Sequence, residues 1–133
     1  MLQFNLNDFY THQFIVTEEV FAHFQLCSGD YNPLHTNDSF SKSKGFKERV
    51  MYGNILNAFI SYFVGEKLPT KNVVIHSQEI EYKNPVYMNE VLMFEAVVLG
   101  VYESVNAIEF KYKFIKPDGK FAAKGLFQIG ILQ

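Results

Sequence analysis

GNILNAFISYFV, residues 53–64, is the stretch of this sequence that decides the fold. Its apolar residues recur at helical spacing and surround nearly the whole circumference of a helix. A helix that is apolar on all sides has to be buried on all sides. At about 1.5 Å of rise per residue it is far too short to cross a bilayer. The stretch therefore predicts a buried central helix that the rest of the chain must wrap.

The second half of the chain is the candidate for that wrapping. Residues 108–114 alternate apolar and charged side chains, which is the period of a strand with one face on a core. Residues 73–82 and 91–99 predict two further strands, and a Pro-Asp-Gly turn at 117–119 predicts a hairpin into a strand over 121–132. Four long antiparallel strands around one helix make an α+β protein. A curled antiparallel β-sheet wrapped around a long buried central α-helix is the hot-dog fold.

Shorter elements are predicted ahead of the central helix. Residues 13–16 indicate a short leading strand. Thr17, followed by two acidic residues, is typical of a helix N-cap, and the helix that it opens is expected to end near Cys27. We expect that cysteine to be a small buried side chain. Another short helix is predicted over residues 38–44, before Gly45.

Composition limits the classes of function. With 133 residues and 48% hydrophobic content the chain suits a single domain, residues 1–133, with a real core. A formal charge of −2 gives no reason to expect nucleic acid or an anionic membrane as a partner. The single cysteine excludes an internal disulfide, and residues 1–10 lack the pattern of a signal peptide. We therefore expect a cytoplasmic protein that needs no membrane. The four histidines lack metal-ligand spacing, so no metal site is predicted.

The run Ser28-Gly29-Asp30-Tyr31-Asn32-Pro33-Leu34-His35 carries the candidate chemistry. Proline excludes a helix through this point and biases the preceding residue toward extended geometry, so the run predicts a stiff bend. Such a bend could aim Asp30 and His35 at one spot. Because Asp and His ordinarily titrate near 4 and 6.5, a pair of them can hold a water and move a proton near neutral pH. The run predicts an acid/base site without cofactor.

With this motif and the strand pattern in view, the chain resembles the MaoC-like, R-specific enoyl-CoA hydratases (hydratase 2). The signature of that family, an aromatic residue followed by S/T-G-D-x-N-P-L-H, corresponds here to residues 24–35, with Ser41 at the small position after the histidine. The resemblance continues through residues 46–69 and covers most of the chain. Two positions depart from the family: Cys27 replaces an aliphatic residue, and Tyr52 precedes Gly53 where the family often has histidine.

The resemblance implies that Asp30 and His35 activate a water that adds across the double bond of a trans-2-enoyl thioester, giving a 3R-hydroxyacyl product, or that they run the reverse dehydration. Taken singly, Asp30 could instead cap a turn, and His35 could be a half-buried, hydrogen-bonded histidine. Gly53 starts the central helix, where free N–H groups and the helix dipole could stabilise the thioester oxyanion. Its alternative role is to permit a tight turn or close packing.

Asn54, Asn57 and Ser61 form one polar stripe on the otherwise apolar helix. We interpret them as substrate-binding residues of a pocket for short or oxygenated acyl groups. The alternative is an internal hydrogen-bond network, with His76 or Gln78 as partners. Asn32 is counted among the substrate-binding residues, although we expect its side chain chiefly to hold the turn.

A basic cluster precedes the central helix and is either solvated surface or a site for the phosphates of CoA or a phosphopantetheine arm. It consists of Lys42, Lys44, Lys47 and Arg49. The expected partner is an acyl-CoA or acyl-carrier-protein thioester. Open sheet edges further predict a homodimer or larger homo-oligomer. Two rival functions are a hot-dog thioesterase and a non-catalytic module that binds acyl thioesters.

Overall fold

The computed structural model describes residues 3–133. Residues 1 and 2 lie outside the described range; they belong to the expected domain, 1–133, and to the stretch 1–10 that was examined for a signal peptide. The chain forms five strands and four α-helices in that range. In chain order they are β1 (Phe9–Ile15), α1 (Glu18–Ser28), α2 (Pro33–Thr36), α3 (Asp38–Ser43), α4 (Asn54–Tyr62), β2 (Val73–Tyr82), β3 (Val91–Tyr102), β4 (Ala107–Ile115) and β5 (Phe121–Ile131). A π-helical turn, Phe63–Lys67, continues α4, and a 3₁₀ turn, Glu103–Val105, joins β3 to β4.

The five strands form one antiparallel sheet in the order β1-β3-β4-β5-β2. Its concave face covers α4, which confirms the predicted hot-dog fold. The alternation predicted for residues 108–114 is present: Ile108, Phe110, Tyr112 and Phe114 are buried, and the charged residues between them face outward. The predicted bounds of β2 are confirmed, whereas β3 runs three residues further than predicted.

Aromatic rings join the helix to the sheet. Phe59 on α4 stacks on Phe14 of β1 with ring centroids 4.4 Å apart, and Phe63 contacts Phe94 of β3 at 4.9 Å. Phe63 and Phe94 are almost completely buried. Burying a side chain of this size stabilises the fold by roughly 1.5–3 kcal/mol before entropic costs. These contacts fix α4 on the sheet, and with it the start of α4, where the site lies.

The central helix is not buried on all sides, contrary to the prediction. Ile55, Leu56, Phe59 and Ile60 face the sheet and are buried. Asn54, Ala58 and Ser61 lie on the opposite side and are exposed. Counting apolar residues around the circumference could not reveal this, because one curled sheet covers a helix from one side only.

Three smaller predictions also differ from the structure. The leading strand begins at Phe9 rather than residue 13, and it pairs with β3 as a full fifth strand. Cys27 is exposed rather than buried, because it lies on the outer side of α1. A one-turn helix, α2, begins at Pro33, where the sequence predicted only a bend. Proline is compatible with the first position of a helix, since that N–H has no intrahelical partner.

The predicted caps of α1 and α3 are confirmed. The hydroxyl of Thr17 accepts a hydrogen bond from the Val20 amide at 3.2 Å. Gly45, which follows α3, has φ +92°, a left-handed conformation that favours glycine. The two helices therefore begin and end where the local chemistry requires, and the motif lies in the loop and turn between them.

Candidate active site

His35 lies on α2, and its ring is held by the main chain. The Nδ1 atom is 2.7 Å from the carbonyl oxygen of Val50. Because a carbonyl oxygen only accepts hydrogen bonds, Nδ1 carries a proton, and in the neutral ring Nε2 is the nitrogen that can accept one. The side chain is 17% exposed. His35 is therefore a half-buried imidazole whose orientation is fixed by the main chain.

Asn32 sets the start of the helix that carries His35. Its Oδ1 accepts a hydrogen bond from the Leu34 amide at 2.9 Å, which caps α2. This is the turn-holding role expected for its side chain. Asn32 is not among the residues that line the adjacent cavity. A fully buried serine, Ser41, donates to the carbonyl of Leu34 at 2.7 Å and anchors the same turn from α3.

Asp30 lies in the loop between α1 and α2. One carboxylate oxygen, Oδ1, accepts a hydrogen bond from the Asn32 amide at 3.0 Å, as in an Asx turn. The other oxygen, Oδ2, is 4.0 Å from Nε2 of His35. That separation is too long for a direct hydrogen bond. The carboxylate thus caps the turn, which is the alternative role considered for Asp30, and its second oxygen faces the imidazole.

A cavity of about 500 Å³ opens beside this pair. His35 and Gly53, two of the three predicted catalytic residues, line it; Asp30 does not, and its Oδ2 lies 4.0 Å from Nε2 of His35. Most of the other wall is apolar and comes from several elements. It includes Val16, Phe46, Leu56, Pro85, Val86 and Ala122. Lys83 and Asn84, which the sequence did not suggest, add polar groups to the wall.

Gly53 precedes the first residue of α4 and has helical backbone angles, φ −59° and ψ −36°. The first turn of hydrogen bonds is donated by the amides of Ile55 and Leu56. The amides of Gly53 and Asn54 therefore precede the first intrahelical bond, at the positive end of the helix dipole. This end of the helix borders the cavity that contains His35.

The polar stripe on α4 divides between the cavity and the open side of the helix. Asn54 lines the cavity, whereas Asn57 and Ser61 do not. The Asn57 amide donates to Oδ1 of Asn54 at 3.0 Å and to the hydroxyl of Tyr82 at 3.4 Å. Ser61 is exposed. The predicted network thus exists for the two asparagines, but its partner is Tyr82 of β2. In residues 3–133, neither His76 nor Gln78 bonds to the stripe.

Two tyrosines of this site were not predicted as functional residues. Tyr52 packs its ring on His35, and Tyr82 lies against Gly53 in the cavity wall. Burial of Tyr52 and partial burial of Tyr82 raise the pKa of the two hydroxyls, and for Tyr52 the charge of Asp30 adds to the rise. Both hydroxyls therefore stay neutral over the physiological range. The only signal in the sequence was the departure from the family at residue 52.

The basic cluster is dispersed over nearby aromatic rings. Lys44 lies over Phe40, and Lys47 lies over Tyr87, with 5.3 and 5.7 Å between each nitrogen and ring centroid. The guanidinium of Arg49 lies 5.1 Å from the Phe21 ring. None of the cluster's residues lines the cavity.

Two negative findings apply to the part of the chain that the structure describes. Within residues 3–133, no group of three or more His, Cys, Asp or Glu side chains is arranged to hold a metal ion. None of the helices there is long and apolar enough to span a membrane.

Comparisons with known proteins agree with this architecture. The family model described as "MaoC like domain" matches residues 8–116. An (R)-specific enoyl-CoA hydratase of Aeromonas caviae is 26% identical over 104 residues, 78% of each protein. A mitochondrial 3-hydroxyacyl-[acyl-carrier-protein] dehydratase of Arabidopsis thaliana is 26% identical over 108 residues, which are 81% of this chain and 58% of that protein. The chain thus matches little more than half the length of the plant relative.

Solved structures show the same fold along nearly the whole chain. The (R)-hydratase of A. caviae superposes with a TM-score of 0.90 at 21% identity, covering 98% of this chain and 99% of that one. An Archaeoglobus fulgidus protein superposes with a TM-score of 0.87 at 30% identity, covering 96% of this chain and 79% of its own.

Proposed function

The chain belongs to the MaoC-like domain family, and from this premise we propose that it catalyses the R-specific hydration of trans-2-enoyl thioesters to 3R-hydroxyacyl thioesters, or the reverse dehydration. The observation that carries the proposal is the arrangement around one cavity: His35 and Gly53 line it, and the Asp30 carboxylate lies 4.0 Å from Nε2 of the imidazole. The activity named for the Aeromonas and Arabidopsis relatives supports the same hydro-lyase chemistry.

The spacing of Asp30 and His35 suits a shared water. A water that bridges Oδ2 of Asp30 and Nε2 of His35 would accommodate the separation of 4.0 Å. The Asx-turn bond occupies Oδ1, so Oδ2 is the oxygen left for this role. The water oxygen bonds to C3 of the enoyl group. The Asp/His pair takes a proton from the water and returns one to C2.

The start of α4 would supply the electrostatic stabilisation of the charge that develops during the reaction. Addition at C3 moves negative charge onto the thioester carbonyl oxygen, and donors aimed at that oxygen lower the barrier. The amides of Gly53 and Asn54 meet this need because they precede the first intrahelical hydrogen bond. We assign Gly53 as the oxyanion residue, and Asn54 as the substrate-binding residue closest to it.

The cavity also favours a class of acyl group. Its volume of about 500 Å³ must hold the reacting carbons and part of the thioester arm. Asn54 places an amide in a largely apolar wall, and we infer that the pocket prefers short or oxygenated acyl chains. Asn57 and Ser61 would influence substrate indirectly, through Asn54 or through a second subunit on the open side of α4.

The thioester would be carried by CoA or by an acyl carrier protein. We also propose that the protein is a homodimer or a larger homo-oligomer. Strands β1 and β2 are the open edges of the sheet, and β2 exposes Val74 and Tyr82. A second copy would cover such an edge. The reducing cytoplasm is the compartment proposed for the enzyme, where Cys27 would remain a free thiol.

Loss of the conjugated-thioester absorbance of crotonyl-CoA tests the proposal. We expect the wild-type protein to form the 3R alcohol, and expect Asp30→Asn and His35→Ala each to lower kcat/KM at least about 100-fold. Asp118→Asn in the β4–β5 turn and His23→Ala on α1 change the same residue types outside the cavity. These controls should retain the wild-type rate.

Three results would count against the proposal. Release of free thiol from a saturated acyl-CoA, without hydration, would identify a thioesterase. Binding of a panel of enoyl thioesters without turnover would identify a binding module. Full activity of the Asp30 and His35 variants would show that the chemistry lies elsewhere in the protein.

A further inference from the structure

Tyr52 joins three parts of the site through one hydroxyl group. The residue is only 3% exposed and directly precedes Gly53. Its hydroxyl donates to the main-chain carbonyl of Asp30 and accepts from Nε2 of Gln25, the latter at 3.2 Å. Gln25 belongs to α1, and Tyr52 lies at the start of α4. A single phenol therefore connects α1, the Asp30 loop and the helix end that carries the oxyanion amides.

The ring of Tyr52 also supports the imidazole. The His35 and Tyr52 ring centroids are 4.3 Å apart, with the planes inclined by 34°. Phe21 and Phe24 pack on the same tyrosine ring at 5.2 and 5.0 Å. The edge of the imidazole is held by the Val50 carbonyl and its face by Tyr52. His35 thus has little freedom to rotate.

Asp30 has much less support of its own. Its side chain is 46% exposed, and the Asx-turn bond to the next-but-one amide is local. The Asp30 amide also bonds locally, to the hydroxyl of Ser28 at 3.2 Å. The Tyr52 hydroxyl is the partner that ties the Asp30 backbone to a distant part of the chain, 22 residues away.

We propose that Tyr52 is a positioning residue, which holds the Asp30 carboxylate at its working distance from the His35 imidazole and keeps this pair correctly placed relative to the Gly53 amide. The proposal rests on the hydratase function above. Tyr52 is not a proton donor in the reaction, because its single O–H already donates to the Asp30 carbonyl while its oxygen accepts from Gln25. Burial also raises the pKa of this hydroxyl, which keeps its proton in place.

Tyr52→Phe removes only the hydroxyl, and Tyr112→Phe is its matched control. Tyr112 is 2% exposed, donates to the main-chain carbonyl of Glu79 at 2.7 Å, and does not line the cavity. We expect Tyr52→Phe to lower kcat about 10- to 100-fold with KM changed less than about threefold, because small misplacements of catalytic groups are costly. Tyr112→Phe should lose comparable stability and keep kcat within about twofold. Equal kcat in the two variants would overturn the proposal.

The imidazole signals of His35 in protein labelled with ¹⁵N-histidine give a second readout that needs no turnover. We expect Tyr52→Phe to move them in the same direction as Asp30→Asn, and to add little in the Asp30→Asn background. Tyr112→Phe should leave them in place. Unchanged His35 signals in Tyr52→Phe would overturn the positioning role even if the hydratase function stands. If the wild type hydrates no enoyl thioester, the proposed function fails, and these signals alone decide the role of Tyr52.

Discussion

The aromatic ring of Tyr82 lies directly against Gly53. A Cβ atom built on Gly53 would be 2.8 Å from Cε1 of Tyr82, closer than carbon atoms approach in proteins. The hydroxyl of the same tyrosine is 3.3 Å from Oδ1 of Asn54 and 3.4 Å from the side-chain nitrogen of Asn57. The absence of a side chain at residue 53 therefore lets strand β2 form a cavity wall against the start of α4.

We expect Gly53→Ala to lower kcat/KM by at least about tenfold while the protein remains folded. The added methyl group must displace the Tyr82 ring into the cavity or crowd the helix amides that the thioester is proposed to approach. Its effect on the free energy of unfolding should be at most about 1–3 kcal/mol, since φ is −59° and only one exposed ring must shift. Enoyl-CoA kinetics and urea denaturation measure the two effects.

Gly65→Ala is the control for that substitution. Gly65 lies in the π-helical turn that continues α4, and a Cβ there meets no atom within 4 Å. The control should keep wild-type kinetics. An unchanged kcat/KM in Gly53→Ala would show that close approach to this backbone is not needed for catalysis.

Local sequence patterns predicted most of the elements but not which side of α4 the sheet covers. The alternation in β4 and the Pro-Asp-Gly turn are local signals, and both elements lie where they were expected. The polar stripe on α4 is interpreted from sequence as if the helix were buried on all sides. Ser61 is exposed because the sheet covers α4 from one side only, and the sheet forms through pairings between residues far apart in the chain.

The same distinction applies to the candidate site. Asp30 and His35 could be predicted because one short motif places them together. Tyr52 reaches Asp30 across 22 residues, and Tyr82 reaches Asn54 across 28. No periodicity in the sequence encodes these contacts, since they arise when β2 and α1 pack against the start of α4. Tyr52 and Tyr82 could therefore be identified as site residues only from the tertiary structure.

The acyl pocket should discriminate by chain length. We expect kcat/KM for a four-carbon enoyl-CoA to exceed that for a straight ten- or twelve-carbon chain by at least about tenfold, because each pair of added carbons must fit within about 500 Å³. Val86→Ala removes two methyl groups from the wall and should shift this ratio toward longer chains. Equal or faster turnover of the long substrate by the wild type would contradict the short-chain pocket.

Val98→Ala is the control for the pocket substitution. Val98 is buried on β3 and does not line the cavity. Both substitutions should lower the free energy of unfolding by roughly 1–3 kcal/mol. Only Val86→Ala should change the ratio of short- to long-chain turnover, which a competition assay with paired substrates measures directly.

Ser41→Ala should destabilise the protein by roughly 1–3 kcal/mol, because it removes a fully buried hydroxyl that donates to the Leu34 carbonyl. Ser43→Ala is the control: its hydroxyl also donates to a main-chain carbonyl, that of Phe40, but it is exposed. The control should change the free energy of unfolding by no more than about 0.5 kcal/mol. Equal effects in denaturant titrations would contradict the anchoring of α2 by Ser41.

His12 should make the protein less stable at mildly acidic pH. Burial beside Phe14 lowers the pKa of His12, and the nearby charge of Lys67 lowers it further. The folded state therefore binds the proton more weakly than the unfolded state does. Stability from the neutral imidazole is fully present above the unfolded pKa of about 6.5 and is lost as the pH falls through the folded pKa.

Replacement of His12 by glutamine tests this pH dependence. We expect urea midpoints measured between pH 7.5 and 5 to fall less steeply in His12→Gln than in the wild type, because glutamine does not titrate. His23→Gln changes an exposed histidine on α1 and should retain the wild-type slope. A slope in His12→Gln identical to that of the wild type would show that this imidazole does not contribute to acid sensitivity, and that other groups, such as the carboxylates, produce it.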